Sequence, residues 1–207
     1  MSLGIESTIG EQRTILRSVA WETYEKLAVS PDRAGRLITY DQGDLEIMSP
    51  SRAHETDKSM LGRMIERFAE FHEIDLASTA STSFKRHDLK RGFEADESYY
   101  ISHEEVIRQK REIDLSIDPP PDLVIEIERS RSALDKLPLL AAIGVPEIWR
   151  YDGHMIWMGR LQGGQYQTLS TSVELPGFSV AAALEIMQAT GSASETALIR
   201  RFVKLLS

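Results

Sequence analysis

A short strand pattern, Leu123-Val-Ile-Glu-Ile127, constrains the fold more than any other feature of this sequence. A continuous run of apolar and β-branched residues is typical of a central strand that is buried on both faces. A helical pattern follows over 135–143, with Asp135 as a candidate N-cap, and it ends at Gly144. The sequence therefore predicts an α/β or α+β domain in which helices cover a sheet.

Helices and strands are mixed along the rest of the chain as well. Residues 1–12 show no periodicity and are expected to form a flexible arm before a single domain at 13–189. The stretch 190–207 carries an apolar stripe that includes Leu198 and Phe202, so we expect a helix that packs on the domain or at a homodimer interface. The other predicted elements are hairpins at 36–48 and 147–158, strands at 76–84 and 96–101, and helices at 18–27, 53–73 and 179–189.

Composition limits the classes of function. The 207 residues include 24 Lys and Arg against 32 Asp and Glu, and the net charge of -8 argues against a general basic surface for nucleic acid. The absence of cysteine excludes disulfides, thiolate zinc sites and cysteine nucleophiles, and it fits a reducing compartment. No signal-peptide pattern and no apolar run of membrane-spanning length is present, so we expect a cytoplasmic protein.

The central strand carries an acid where an apolar residue is expected. Glu126 and Glu128 share one face of this strand, roughly 6.6 Å apart. A buried carboxylate is costly unless it is paired or binds a metal. Asp96 opens another predicted strand, and two neighbouring strands could bring Asp96 and Glu126 together. Two carboxylates and water are what Mg²⁺ typically accepts from a protein. The alternative is that Glu126 lies in water at a strand end or pairs with an arginine such as Arg129 or Arg131.

Two groups of cations are candidates for a role beside these acids. Lys136 begins the helix after the central strand, where it could orient a nucleophilic water; the alternative is an ordinary solvated lysine. The densest basic cluster lies in a predicted loop just before Asp96, and it consists of Lys85, Arg86, Lys90 and Arg91. We expect this basic cluster to contact nucleic-acid phosphates, with a solvated surface loop as the alternative.

Several separate motifs follow one another along the chain. They are LEIMSPS at 45–51 with His54-Glu55, EADESYY at 94–100, DPPPDLVIEIE at 118–128, Ser130, Ser132, Asp135-Lys136 and GVPEIWRYD at 144–152. In this order they resemble the Uma family of restriction-endonuclease-like proteins, and the resemblance extends from about Trp21 to Phe178. It implies the PD-(D/E)xK nuclease fold, in which a central mixed sheet is flanked by helices.

By this resemblance, Asp96 and Glu126 are expected to bind Mg²⁺, with Mn²⁺ as the alternative ion. Ala95 stands where the proline of the motif would be. The usual lysine position, two residues after the glutamate, is Glu128 here, so the resemblance implies that Lys136 replaces this lysine from the following helix. Glu128 is then expected to tune or extend the metal site.

The resemblance also implies an acid on the first core helix. Glu55, Glu66 and Glu70 are the candidates on the helix predicted at 53–73. His54 matches the family pattern and is expected to support the site, without a more specific role.

The sequence therefore favours a metal-dependent endonuclease that hydrolyses DNA phosphodiester bonds. The alternative is a catalytically inactive nuclease-fold module for binding or assembly, which the displaced lysine and the acidic surface would both allow. A carboxylate-pair glycosidase fits poorly, because nothing in the sequence predicts the large cleft and the second acid that it needs.

Overall fold

The computed structural model of the protein describes residues 11–33, 35–130, 132 and 134–206. Its first sheet is antiparallel and is built from the strands β1 (Gln12–Leu16), β2 (Leu37–Asp41), β3 (Asp44–Ser49), β5 (Ser83–Arg86) and β6 (Arg91–Glu94). The spatial order is β1-β3-β2-β6-β5. Of the expected arm, residues 1–10 lie outside the described part of the chain, and Gln12 already pairs with Ser49 in this sheet.

The second sheet is the mixed central sheet that the sequence predicts. Its strands are β4 (Ala77–Ser78), β7 (Glu97–Tyr100), β8 (Leu123–Ile127), β9 (Glu147–Tyr151), β10 (Ile156–Gln162) and β11 (Gln165–Thr168). They lie in the order β11-β10-β9-β8-β7-β4, and only β8 and β9 are parallel to each other. Every residue of β8 is buried, which confirms the prediction of a central strand.

Helices cover both faces of the central sheet. They are α2 (Arg52–Phe71), α3 (Glu104–Ile107), α4 (Lys136–Ile143), α5 (Val180–Gln188) and α6 (Glu195–Lys204). Helix α1 (Trp21–Ala28) packs instead against β2 and β3 of the first sheet. The long helix α2 packs with α5 and α6 against one face, and Leu198 and Phe202 of α6 belong to that core. Helix α4 packs against the other face. No helix in the described ranges is both long and apolar enough to cross a bilayer.

Local sequence signals fix the start and the end of α4. The Asp135 side chain accepts a hydrogen bond from the Leu137 N–H at 3.1 Å, as an N-cap does. Pro138 lies in the first turn, where its missing N–H costs nothing. Gly144 ends the helix with a φ of 94°, a conformation that glycine adopts without strain. Lys136 is therefore held at the first helical position, close to the carboxyl end of β8.

Two expectations about the middle of the chain are corrected by the structure. The strand predicted at 76–84 is two strands, β4 and β5, which belong to different sheets. The loop predicted at 85–91 is shorter than expected, because 87–90 form the turn of the β5–β6 hairpin while Lys85, Arg86 and Arg91 lie in its strands. Phe84 and Phe93 lie opposite each other in this hairpin with ring centroids 5.2 Å apart, and such a cross-strand pair stabilises the extended backbone.

Candidate active site

Asp96 and Glu126 lie side by side on neighbouring strands of the central sheet. Glu97 pairs with Ile125 in the antiparallel register of β7 and β8, which puts Asp96 opposite Glu126 one step further on. The Asp96 Oδ2 accepts a hydrogen bond from the Ile127 N–H at 2.7 Å, so the carboxylate is held over β8. Only 1% of Asp96 and 2% of Glu126 is exposed. The two acids that the sequence singled out are thus brought together.

The two carboxylates occupy the sheet face that is covered by α4. Ile125 and its odd-numbered neighbours on β8 pack in the core cluster with α2, whereas Val124 packs in the cluster with α4. Side chains alternate along a strand, so Glu126 lies on the same face as Val124. This alternation explains how one strand fills two apolar layers and still carries an acid at the site.

Lys136 is bound directly to Glu126. Its Nζ donates to Glu126 Oε2 at 2.5 Å, and only 7% of Lys136 is exposed. Burial raises the pKa of Glu126 above its ordinary value; the Lys136 ammonium opposes this rise and the Asp96 carboxylate adds to it. The ion pair therefore leaves the other carboxylate oxygen, Glu126 Oε1, buried without a hydrogen-bond partner among the described residues.

His54 approaches Asp96 from the N-terminus of α2. Its Nε2 lies 2.7 Å from Asp96 Oδ1 and its Nδ1 lies 3.3 Å from Glu11 Oε2. Ser51 caps this helix by accepting the His54 N–H at 3.2 Å. Burial lowers the pKa of His54, but the hydrogen bonds to Asp96 and Glu11 outweigh burial and raise this pKa to about 9. His54 is therefore a buried cation between two carboxylates.

Strands β1 and β3 add an outer layer of charge. Arg13 forms ion pairs with Glu11 and with Glu46, whose Oε1 lies 2.8 Å from the guanidinium. Ser130 donates to Glu11 at 3.0 Å, and Ser132 donates to Glu46 at 2.7 Å. Charges therefore alternate from the first sheet through His54 to the two central acids. Sequence reasoning missed Glu11 and Glu46, although the acid inside the apolar stretch of β3 was a signal of the same kind as Glu126.

Comparison with known proteins assigns the sequence of this chain to a family. The sequence model of the family Uma2, described as "putative restriction endonuclease", matches residues 21–191. This chain belongs to the Uma2 family. No curated protein matches it.

A solved structure shares the fold of this Uma2 member. It is the crystal structure of "a putative nuclease belonging to DUF820" from Anabaena variabilis ATCC 29413. The TM-score is 0.59 at 14% identity, and the match covers 82% of this chain and 99% of the other. The likeness confirms the predicted restriction-endonuclease-like fold.

The acids proposed on the first core helix do not reach the carboxylates of this Uma2 protein. Glu55 and Glu70 are exposed. Glu66 lies twelve residues beyond His54 on α2, roughly 18 Å along the helix axis. What α2 brings to Asp96 is His54. The buried acid of this helix is Asp57, which pairs with Arg129 instead.

Glu128 pairs with a residue of the neighbouring strand. It forms an ion pair with Arg150, which the parallel register of β8 and β9 puts beside Glu126. In this Uma2 member the motif position usually held by lysine is thus an acid that holds an arginine.

The basic cluster lies away from the carboxylates. Two of its members are already paired, since Arg86 binds Asp88 at 2.7 Å and Arg91 binds Asp41 at 2.7 Å. Gly92, which pairs with Lys85, is four residues before Asp96, roughly 13 Å along an extended chain.

The residues present fit a hard divalent cation. Within the described residues, no group of three or more His, Asp or Glu side chains is arranged to hold a metal ion. Asp96 and Glu126 offer two carboxylates, however, and Mg²⁺ usually takes one or two carboxylates and completes its shell with water and substrate oxygens. The unpartnered Glu126 Oε1 is a further sign of such a donor set.

Proposed function

We propose that this protein is a metal-dependent endonuclease that hydrolyses DNA phosphodiester bonds at Asp96 and Glu126. One observation carries the proposal: two buried carboxylates lie on adjacent strands, and the Lys136 ammonium is 2.5 Å from one of them. Mg²⁺ or Mn²⁺ bound there would supply Lewis-acid polarisation of the phosphate and an activated water. Membership of the Uma2 family and the nuclease fold support the same reaction class.

The other residues around the carboxylates have electrostatic and positioning roles. Lys136 holds a positive charge where negative charge develops on the phosphate, which is an electrostatic role that needs no proton transfer. His54 fixes one oxygen of Asp96 while the Ile127 N–H fixes the other. Glu128 orients Arg150 beside the site.

The proposal is tested by metal titration and cleavage on the same samples. We expect Glu126→Gln and Asp96→Asn each to lose calorimetric Mg²⁺ and Mn²⁺ binding and to reduce plasmid nicking by about 100-fold or more. Glu185→Gln is the matched control, because this exposed glutamate pairs with Arg201 on α6. Circular dichroism establishes that each variant is folded.

Two outcomes would overturn the proposal. Cleavage retained by both folded variants would remove Asp96 and Glu126 from the reaction. A wild-type protein that binds no metal, even with a phosphorothioate-blocked DNA present, would favour the inactive binding or assembly module.

Neutralising the basic cluster tests its proposed contact with phosphates. We expect replacement of all four residues by glutamine to reduce the magnitude of the negative slope of log K for DNA binding against log salt. The expected reduction is about 2 rather than about 4. The reason is that Arg86 and Arg91 already neutralise carboxylates, which leaves the two lysines to release counterions. Filter binding of duplex DNA over a range of salt concentrations measures the slope, and an unchanged slope would exclude the contact.

A further inference from the structure

The catalytic carboxylates begin a row of side chains that continues across the central sheet. The register puts Arg150 on β9 beside Glu126, and it puts Trp157 on β10 beside Arg150. Residues paired in this way lie on the same face of a sheet. With neighbouring strands about 4.8 Å apart, the row Asp96, Glu126, Arg150 and Trp157 crosses about 14 Å of the sheet. An acidic centre, a cation and an aromatic ring therefore follow one another along one face of the sheet.

Trp157 differs from the other aromatic residues of the β9–β10 hairpin. Trp149 and Tyr151 are buried in the core cluster on the α2 side, whereas Trp157 lies on the opposite face and is partly exposed. Its indole Nε1 donates to Thr168 Oγ1 at 3.0 Å, which fixes the ring. A Cβ at Gly159 would lie 2.4 Å from the indole, so glycine is what allows the ring to lie close to the backbone. The result is an aromatic surface held in one orientation.

Arg150 joins this surface to the catalytic centre. Its guanidinium carbon lies 6.0 Å from the centroid of the Trp157 ring, and one of its NH₂ groups binds Glu128. The Arg150 side chain is still 32% exposed. A guanidinium has five N–H donors, so an arginine that is oriented by one carboxylate retains donors for a phosphate.

We propose that Arg150 and Trp157 bind the substrate strand beside the catalytic carboxylates, Arg150 at a phosphate and Trp157 by stacking on an unpaired base. The inference rests on the proposed nuclease function and names its substrate class as single-stranded DNA or a single-stranded segment. The bases of an intact duplex are stacked inside the helix, so only an unpaired or extruded base can reach the indole. Stacking on aromatic residues is tolerant of base sequence. Arg150 and Trp157 are therefore expected to select single-stranded over duplex DNA rather than a particular sequence.

Fluorescence titration in EDTA separates binding from cleavage. Trp21 and Trp149 are 3% and 0% exposed, so a single-stranded thymidine oligonucleotide is expected to quench the signal of Trp157 and not of the other two. We expect Trp157→Leu to bind this strand about tenfold or more weakly and Trp157→Phe to keep most of the affinity. The same sequence as a blunt duplex is expected to bind wild type and Trp157→Leu equally.

Salt dependence tests the role of Arg150. We expect Arg150→Gln, made together with Glu128→Gln so that no carboxylate is left unpaired, to lower the single-strand salt slope by about 0.7, the value of one phosphate contact. Arg201→Gln is the matched control, since Arg201 also pairs with a glutamate but lies on α6.

The results of the binding and cleavage experiments distinguish this inference from the proposed nuclease function. Equal affinity of Trp157→Leu and wild type for the single strand would overturn the inference even if Asp96 and Glu126 prove essential for cleavage. A preference for the single strand that is lost in Trp157→Leu, without metal-dependent cleavage of either DNA, would support strand binding by Arg150 and Trp157. It would also refute the proposed nuclease function.

Discussion

Lys136→Met is expected to lower the free energy of unfolding at pH 7 by about 3 kcal/mol, because it leaves the Glu126 carboxylate buried without its cation. Urea denaturation followed by circular dichroism measures the change. Burial already raises the pKa of Glu126, and loss of the ammonium raises it further. A raised carboxyl pKa costs stability only where the unfolded state is ionised, so the deficit is expected to shrink as the pH falls toward 4.5.

A double variant distinguishes the ion pair from simple loss of packing. Glu126→Leu with Lys136→Met removes both charges, and apolar replacement of a buried pair is often neutral, so we expect most of the stability to return. Lys204→Met, at an exposed position on α6, is the matched control and should stay within about 0.5 kcal/mol of wild type. A small effect of Lys136→Met at pH 7 would mean that the pair does not form in the folded protein.

His54 is expected to make stability fall by about 3 kcal/mol between pH 6.5 and pH 9, because its pKa rises from 6.5 in the unfolded chain to about 9 in the fold. The protonated imidazole is the form that stabilises the fold. Its contribution to the free energy of unfolding is complete below pH 6.5, where His54 is protonated in both the folded and the unfolded state, and it is lost as the pH rises through 9. Denaturant titrations at several pH values give the curve for wild type and for His54→Gln.

The difference between the stability curves of wild type and His54→Gln gives the contribution of His54 alone. We expect the extra loss of stability in wild type to disappear in His54→Gln and to persist in His154→Gln, whose histidine is exposed in the β9–β10 turn. Parallel curves for wild type and His54→Gln over this range would show that His54 is not the cation between Glu11 and Asp96.

Much of the site could be predicted because its signals are local. The acid within an apolar strand identified Glu126, and the N-cap at Asp135 fixed where Lys136 begins its helix. Both effects act over a few neighbouring residues. The side-by-side placement of Asp96 and Glu126 needed only the assumption that their two strands are neighbours, which the register of β7 and β8 confirms.

What sequence reasoning missed depends on contacts between distant segments. Glu11 lies in a stretch without periodicity, so nothing local indicated that it binds a histidine on α2. Arg150 acquires its position beside Glu126 only from the parallel register of two strands. The pairing within the basic cluster was missed for the same reason, because charge density along the chain does not report that Arg91 pairs with Asp41 on another strand.

The chain passes from the first sheet to the central sheet immediately before Asp96. Strand β6 ends at Glu94, β7 begins at Glu97, and the crossing is therefore made by Ala95 and Asp96. One of the two metal-binding candidates thus sits on the hinge between the sheets, while Glu126 sits in the interior of one of them. Because Asp96 lies at the junction of the two sheets, the distance between the Asp96 and Glu126 carboxylates depends on how the first sheet is oriented relative to the central sheet.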